Sequence, residues 1–492
     1  GPVGVAQLSD DNGDGVIDTQ DIPDLVFTAG SSSTASSTTL LVAISGDDGH
    51  ELWSINNTSS SHRSSVALGD IDGDGIVEII IPGKTRGALR AFEHDGSLKW
   101  DVPTGPQFHT GGWVSDGVSI ADIDHDGSPE IIHNRHVFNA DGSLRWEGTR
   151  DYGGYANQRH WGHISIAADV DLDGPMEIIA GRTLYDVDGN VVWHRSDISR
   201  DGWNAVGNFD TDDFAEIILV SNSRVYLLEH TGDTIWGPVA IPGGGHGGAP
   251  TVADFDGDGE PEIGIAGANR YVVFETDGSV KWTSPTFDNT SAATGSSVFD
   301  FEGDGKAEVL YADERNFYIY DGETGAVLSS IHNTSITTIE SPSIADVDND
   351  GQAEIIVGSN SYGANPTPGV RVFESQSNAW APTRSIWNQH SYHISNINDD
   401  GTIPAFEEPS WLSHNTYRLN TFAEGDALGL FDMTAGSLRL IGNGSGQLPA
   451  LAVRIGNAGA GTTPAGVTVS FYEGQPTGGG TLLGSITLDT FG

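Results

Sequence analysis

One acidic phrase recurs along most of this chain: Asp-x-Asp-x-Asp-Gly-x-x-Glu. Its places 1, 3, 5, 7 and 9 hold Asp70, Asp72, Asp74, Ile76 and Glu78 in one copy, and Asp122, Asp124, Asp126, Ser128 and Glu130 in the next. They hold Asp169, Asp171, Asp173, Pro175 and Glu177; then Asp254, Asp256, Asp258, Glu260 and Glu262; then Asp346, Asp348, Asp350, Gln352 and Glu354. Two copies depart from the pattern. In Asn208, Asp210, Asp212, Phe214 and Glu216 an amide stands first and Asp213 replaces the glycine; in Asp300, Glu302, Asp304, Lys306 and Glu308 the longer Glu stands third. Near the N-terminus Asp10, Asn12, Asp14, Val16, Asp18 and Asp21 put oxygen donors at places 1, 3, 5, 7, 9 and 12, as an EF-hand-type loop does. Asn396, Asn398, Asp400, Thr402 and Glu407 occupy places 1, 3, 5, 7 and 12 of a similar loop with nothing ionic at 9.

Carboxylates at alternate positions of a tight loop converge on one point, and glycine at the sixth place permits the sharp turn. A hard cation that takes six to eight oxygens at about 2.3–2.6 Å suits such a cage, which puts calcium before magnesium. The competing reading is an acidic turn whose Asp side chains cap backbone amides without metal. About eight Ca²⁺ sites are expected, with the Asn208 and Asp300 loops open between the two readings.

The loops must be held by the segments between them. Loops beginning at 70, 122, 169, 208, 254, 300 and 346 recur every 39 to 52 residues. Each unit reads as an apolar strand, the loop, a second apolar strand, a third ending in an Asp-Gly-like turn, and a fourth carrying Trp. The second unit shows it, with Glu78-Ile-Ile-Ile-Pro after the loop, a turn at Asp95-Gly96, and Ser97-Leu-Lys-Trp100. The tryptophan recurs at Trp53, Trp100, Trp146, Trp193, Trp236 and Trp282. Four short strands per period of this length are the mark of a propeller blade, and the N-terminal loop with its strands makes an eighth unit. The expected fold is all-β, an eight-bladed β-propeller; a seven-bladed ring with one unit displaced satisfies the same spacings.

Composition narrows the partners. The 69 Asp plus Glu against 22 Lys plus Arg give a formal charge of −47, so nucleic acid and anionic membrane are poor partners for this surface. No cysteine occurs, so another staple must serve, and repeated metal sites would supply it. No apolar run is long enough to span a bilayer within this chain. A start at Gly1 without Met and an end at Gly492, directly after a strand-like run, read as a processed or partial piece of a longer protein.

On these loops and strands the chain resembles the FG-GAP/VCBS repeats of integrin-α-type propellers and bacterial surface proteins, over roughly residues 3–385, and the propeller domain is expected over 1–385. The resemblance implies that side chains at places 1, 3, 5 and 9 and the carbonyl at place 7 hold the ion. Residues 386–434 read as a connecting segment packed on the propeller, with Arg384 and its aromatics serving packing. Residues 435–492 are Gly-rich with period-two alternation, expected as a small, incomplete Ig-like β-sandwich; Val453-Arg-Ile-Gly-Asn457 and Val469-Ser-Phe-Tyr-Glu473 resemble the CARDB type.

Histidines precede the inner strand of several units: His62, His109, His160 with His163, and His246. With Trp113, Trp161 and Trp203 they form a candidate ligand face at a channel mouth, against the plainer role of filling joints between blades. No Gly-x-Ser-x-Gly elbow or His-Glu-x-x-His helix stands out, and the paired carboxylates are already accounted for as metal ligands. The expectation is an extracellular, non-catalytic adhesion or structural protein contacting other surface proteins, glycans or copies of itself. A polysaccharide lyase or glycan-binding propeller is the alternative, with Arg63 and Arg159 among its few nearby cations.

Overall fold

An apolar run on each side of a short loop can satisfy its backbone most directly by pairing antiparallel across that loop. The computed structural model describes residues 1–30, 39–56, 58, 60, 64–83, 88–102, 115–155, 161–337, 339–376, 379–422, 433–441, 450–457, 468–473 and 481–487. It shows that pairing in all eight units. In the second, Ala67–Gly69, Glu78–Pro82, Leu89–Phe92 and Leu98–Val102 lie in chain order, each antiparallel to the next. Seven sheets have four strands in this order, beginning at Gly4–Ala6, Ala67–Gly69, Ser119–Ala121, Ile166–Ala168, Trp203–Gly207, Thr251–Ala253 and Ser297–Phe299. The eighth, from Ser343–Ala345, has three among the described residues. Together they are the blades of an eight-bladed β-propeller.

Burial runs outward along each blade. The first two strands of the second blade are buried throughout, whereas its fourth alternates between half-buried and exposed. The inner strands therefore read as continuous apolar runs and the outer as alternating ones. Val5, Leu25, Ile79, Ile355 and Trp387 belong to one cluster that spans blades 1, 2, 7 and 8.

A repeated lock joins neighbouring blades. The indole N–H of each fourth-strand tryptophan donates to a carbonyl in the next blade's hairpin turn: Trp53 to His94 (2.9 Å), Trp100 to Ala140 (2.9 Å), Trp146 to Val187 (2.9 Å). The series continues with Trp193 to His230 (2.7 Å), Trp236 to Thr276 (2.9 Å) and Trp282 to Gly322. The turn glycine of that same hairpin lies flat against the indole. At Gly189, where φ is +82°, an added Cβ would stand 2.6 Å from Trp146 Cδ2. That glycine is thus required both by its turn and by its neighbour.

The ring closes where the Asn349 side chain donates to the Asp21 carbonyl (2.7 Å) and the Ser343 hydroxyl to the Val3 carbonyl (2.6 Å). The segment 379–422 then straps the inner strands together. Trp387 exchanges backbone bonds with Val5, and Tyr417 with Val252. Leu68 donates to Asn388, Val298 to Arg418, and Ile120 to the Gln389 side chain. Asn415 and Asn208 bond reciprocally, and Asn420 donates to Ile344. Arg384 knots the strap itself, donating to the Ile394 and Ile397 carbonyls.

Farther along, Met433–Ile441 pairs with Ala450–Asn457, and Thr468–Glu473 with Thr481–Thr487, as two separate two-stranded sheets. No described helix is long and apolar enough to cross a membrane.

The lock is testable. Gly189→Ala should destabilise the protein by about 2 kcal/mol or more, from left-handed backbone strain together with displacement of Trp146. Trp146→Phe, which strips one donor from the Val187 carbonyl, should cost about 1–3 kcal/mol. Urea unfolding reads both; unchanged midpoints would show that the blades are not joined there.

Candidate metal centres

The acidic loops share one geometry, set by which backbone amides their carboxylates accept. The place-9 glutamate opens the second strand, and its carboxylate turns back over the loop. Its Oε2 accepts the place-2 amide in every copy: Ile71 to Glu78 (2.9 Å), Ile123 to Glu130 (3.2 Å), Val170 to Glu177 (3.1 Å) and Phe209 to Glu216 (2.6 Å). Phe255 to Glu262 (2.7 Å), Phe301 to Glu308 (3.0 Å) and Val347 to Glu354 (2.9 Å) complete the series. The place-1 Asp accepts the glycine amide at place 6, as Asp70 does from Gly75 (2.9 Å) and Asp346 from Gly351 (3.1 Å). The place-5 Asp accepts the place-7 amide, as Asp74 does from Ile76 and Asp258 from Glu260 (both 2.9 Å). The same holds for Ser128 on Asp126, Phe214 on Asp212, Lys306 on Asp304 and Gln352 on Asp350. Pro175 has no amide to give.

This folding brings carboxylate oxygens within 4.8 Å of one another in Asp70–Asp72–Glu78, Asp122–Asp124–Glu130, Asp169–Asp171–Glu177 and Asp254–Asp256–Glu262. In the fifth blade Asn208 is diverted, its amide donating to the Asp212 carbonyl (2.7 Å). There Asp210 and Glu216 converge with Glu229, which follows the third strand. In the N-terminal loop Asp10 accepts Gly15 (2.9 Å), Asn12 accepts Asp14, Asp14 accepts Val16, and Asp21 accepts Asp11, Asn12 and Asp18. Asp18 accepts only Gln20, on the exposed rim. The strap loop is arranged differently. Asn396 bonds Asn388 and the His393 amide, and Glu407 pairs with His393, leaving Asp400, Thr402 and Asn398 in the turn.

Crowding and burial raise the place-9 acids far above an ordinary carboxyl. Burial first, opposed by the place-2 amide, brings Glu78, Glu130 and Glu262 to about 7. Glu177, Glu216 and Glu354 reach about 8 and Glu308 about 9. Asp300 and Asp346 rise to about 6 for the same reason. The residues fit a bound cation: Asp169 Oδ1, Glu216 Oε1, Asp346 Oδ1 and Asp124 Oδ1 are buried acceptors with no hydrogen-bond donor. Buried acceptors rarely go unpaired, and a cation beside them would satisfy several at once.

Among the described residues, three blades hold a cation of their own. Lys99 reaches Asp72 (2.6 Å), Glu78 (3.1 Å) and Glu93 (3.2 Å). Arg145 spans Asp124 (2.6 Å) and Glu130 (2.7 Å), and Lys281 contacts Asp256, Glu262 (3.4 Å) and Glu275 (3.1 Å). These side chains and the acids Glu93, Glu229 and Glu275 are members of the site that motif reading passed over. Each had a signal: a Lys or Arg directly before the blade tryptophan, and Glu-x-x-Gly across the turn. In the first blade Asp21 accepts the place-2 amide of Asp11, and a further acid, Asp24, lies near Asp11. Asp24 opens the second strand, accepts the Leu8 amide (3.1 Å), and is raised to about 7 by burial.

Of the candidate ligand face, His62, His109, Trp113, His160, Arg63 and Arg159 lie outside the described residues, as does the side chain of Trp161. His246 is half-buried. His163 is buried with His133 against Asp116, at 2.9 and 3.4 Å; burial opposes the ionised acid, but the two imidazoles hold it well below its usual range. Trp203 is buried and donates to the Gly162 carbonyl (2.6 Å).

Residues 70–133, 208–265 and 300–357 match the FG-GAP-like repeat, so the chain carries repeats of that kind. No curated protein matches. Among solved structures the chain is similar to the Vibrio cholerae biofilm matrix protein Bap1, with 23% identity and a TM-score of 0.73 over 86% of this chain and 96% of that one. It is also similar to the exotype rhamnogalacturonan lyase YesX, with 18% identity and a TM-score of 0.53 over 76% and 71%. A Bacillus licheniformis rhamnogalacturonan lyase gives 20% and 0.50 over 73% and 69%. At these identities the likeness establishes the propeller fold.

The raised acids set a pH dependence for metal-free protein. A folded-state pKa above the unfolded value means that the native state holds the extra proton between about 4.5 and about 8, so stability falls as pH rises through that window. Thermal melts in chelator should therefore show the protein more stable at pH 5 than at pH 8; the opposite slope would show that these glutamates are not carried buried.

Proposed function

We propose that this chain is a calcium-clamped scaffold of the cell surface or extracellular matrix, working through contacts with other surface proteins, glycans or copies of itself. The observation that carries this reading is the recurrence of an acidic loop between the first two strands of each blade, with carboxylates close enough to share a cation in blades 2 to 6 and buried carboxylate oxygens without a donor in blades 3, 4, 5 and 8. Calcium is the cation of choice because the donors are all hard oxygens in a flexible loop. In the full copies the ligands are the side chains at places 1, 3, 5 and 9 and the carbonyl at 7. In the fifth blade Asp210, Glu216 and Glu229 take over, and the first blade uses Asp10, Asn12, Asp14 and Asp21. About eight ions would bind in all.

A medium rich in calcium lies outside the cell, and a cysteine-free chain of charge −47 is suited to it. Bound ions join the first strand of each blade to its second, so that metal affinity becomes folding free energy. The fold is shared with a biofilm matrix protein and with rhamnogalacturonan lyases, so the structural reading rests on the acidic loops, and an Ig-like module over residues 435–492 would extend the adhesive surface.

Calcium chelation should lower the melting temperature by about 10 °C or more, with recovery on adding Ca²⁺; a shift of a degree or two would remove the structural role of the ion. Uronic-acid polysaccharides incubated with the protein should yield no unsaturated product absorbing in the ultraviolet. Its appearance would replace the scaffold reading with a lyase.

A further inference from the structure

A chain with 69 acidic residues and 22 basic ones has a carboxylate within reach of almost any cation, yet Arg418 is buried without one. Arg418 belongs to the strap, with its backbone in the left-handed region at φ +62°. Its Nε has no hydrogen-bond partner, and among the described residues no carboxylate pairs with its guanidinium. The groups acting on its charge are the hydroxyls of Tyr417 and Tyr271. Burial lowers its affinity for the proton, but a guanidinium does not become neutral in a protein.

Arg418 lines a small cavity, with room for about one water-sized group, together with Trp203, Ser341, His390, Gly295 and Ile164. These come from the strap and from the segments that enter the inner strands of successive blades, so the cavity lies at the propeller axis. The room for its polar walls is kept by glycine. A Cβ on Gly295 would stand 2.7 Å from an Arg418 terminal nitrogen, and one on Gly117 would stand 2.3 Å from His390 Cδ2. His390 is also buried. Burial and the neighbouring Arg418 push it well below its ordinary range, so it adds no second charge, and its Nδ1 is unpartnered. An isolated buried ion costs several kcal/mol, and here the protein supplies nothing to offset it.

We propose that the axial cavity is a binding site for one compact monovalent anion, a halide or formate, held by the Arg418 guanidinium. The close walls set the size, since space for about one water-sized group admits only the most compact anions. The single positive charge sets the valence, and the apolar walls of Trp203 and Ile164 disfavour a strongly hydrated dianion. The site is separate from the acidic loops and does not rest on their metal.

Crystals of the full chain in calcium, soaked in sodium bromide, should show an anomalous peak beside Arg418. A water or empty density there at full bromide exchange would overturn the proposal. In solution, at constant calcium and ionic strength, bromide and formate should raise the melting temperature by a few degrees above gluconate, which is too large to enter. Arg418→Gln should abolish that excess, and an excess that survives the substitution would place the anions elsewhere and overturn the site. Bromide and formate acting alike identify a general anion site, whereas formate alone identifies a carboxylate site. Should the variant not fold, the bromide map on the native protein decides.

Discussion

Like charges gathered at one buried point must be neutralised, and the rest of this propeller is organised around that requirement. Blades 2 to 8 each fold two or three acids and a strand-opening glutamate toward the same spot, with the glutamate carried inside the sheet, and in the first blade Asp21 closes the loop instead. Two carboxylates about 4 Å apart repel by about 4 kcal/mol at an effective dielectric of 20, so the cages cannot persist fully ionised and unaccompanied near neutral pH. The blades answer in two ways. Lys99, Arg145 and Lys281 bring a cation from the fourth strand into blades 2, 3 and 6. Blades 4, 5 and 8 have Val192, Ile235 and no fourth strand among the described residues, and there Asp169, Glu216 and Asp346 retain oxygens without donors. In blade 3 Asp124 also keeps one such oxygen beside Arg145, so a built-in cation does not by itself satisfy the cage.

The cage governs its own blade, because the place-9 glutamate bonds back to the place-2 amide and fixes the register of the two inner strands. The tryptophan and turn glycine then carry that register to the next blade. Leu328 and Ser329 stand in the seventh blade where the other blades have a residue and its tryptophan, so the lock lapses on the approach to the closing joint. Closure there relies on Asn349, Ser343 and the strap. The strap bonds the inner strands of blades far apart in sequence and buries Trp387 and Tyr392, stacked at 4.4 Å, beneath the ring.

Much of this was legible in the residues. The cages, the four-strand units and the eight-blade count follow from local spacing, and local spacing is what a tight loop and a hairpin depend on. The recurring tryptophan was visible, but its bond to the following blade spans about forty residues and needs the ring closed. Asp24 was hidden because the first blade's loop is longer than the others, which shifts the strand-opening acid away from the motif. Glu229 was hidden because it enters from the third strand, outside the nine-residue window. Asn396 and Glu407 have suitable spacing for a ninth loop, yet Asn388 and His393, in the same strap, engage them. Arg418 carried no motif at all, and its isolation shows only once the inner strands surround it.

The most direct test of the whole account is a high-resolution map of the protein saturated with calcium. It should show an ion in the loops at Asp10, Asp70, Asp122, Asp169, Asp210, Asp254, Asp300 and Asp346, with oxygen distances of about 2.3–2.6 Å. Lys99, Arg145 and Lys281 should then bridge only the outer carboxylate oxygens. Loops holding water alone, with the lysine and arginine head groups at their centres, would contradict it.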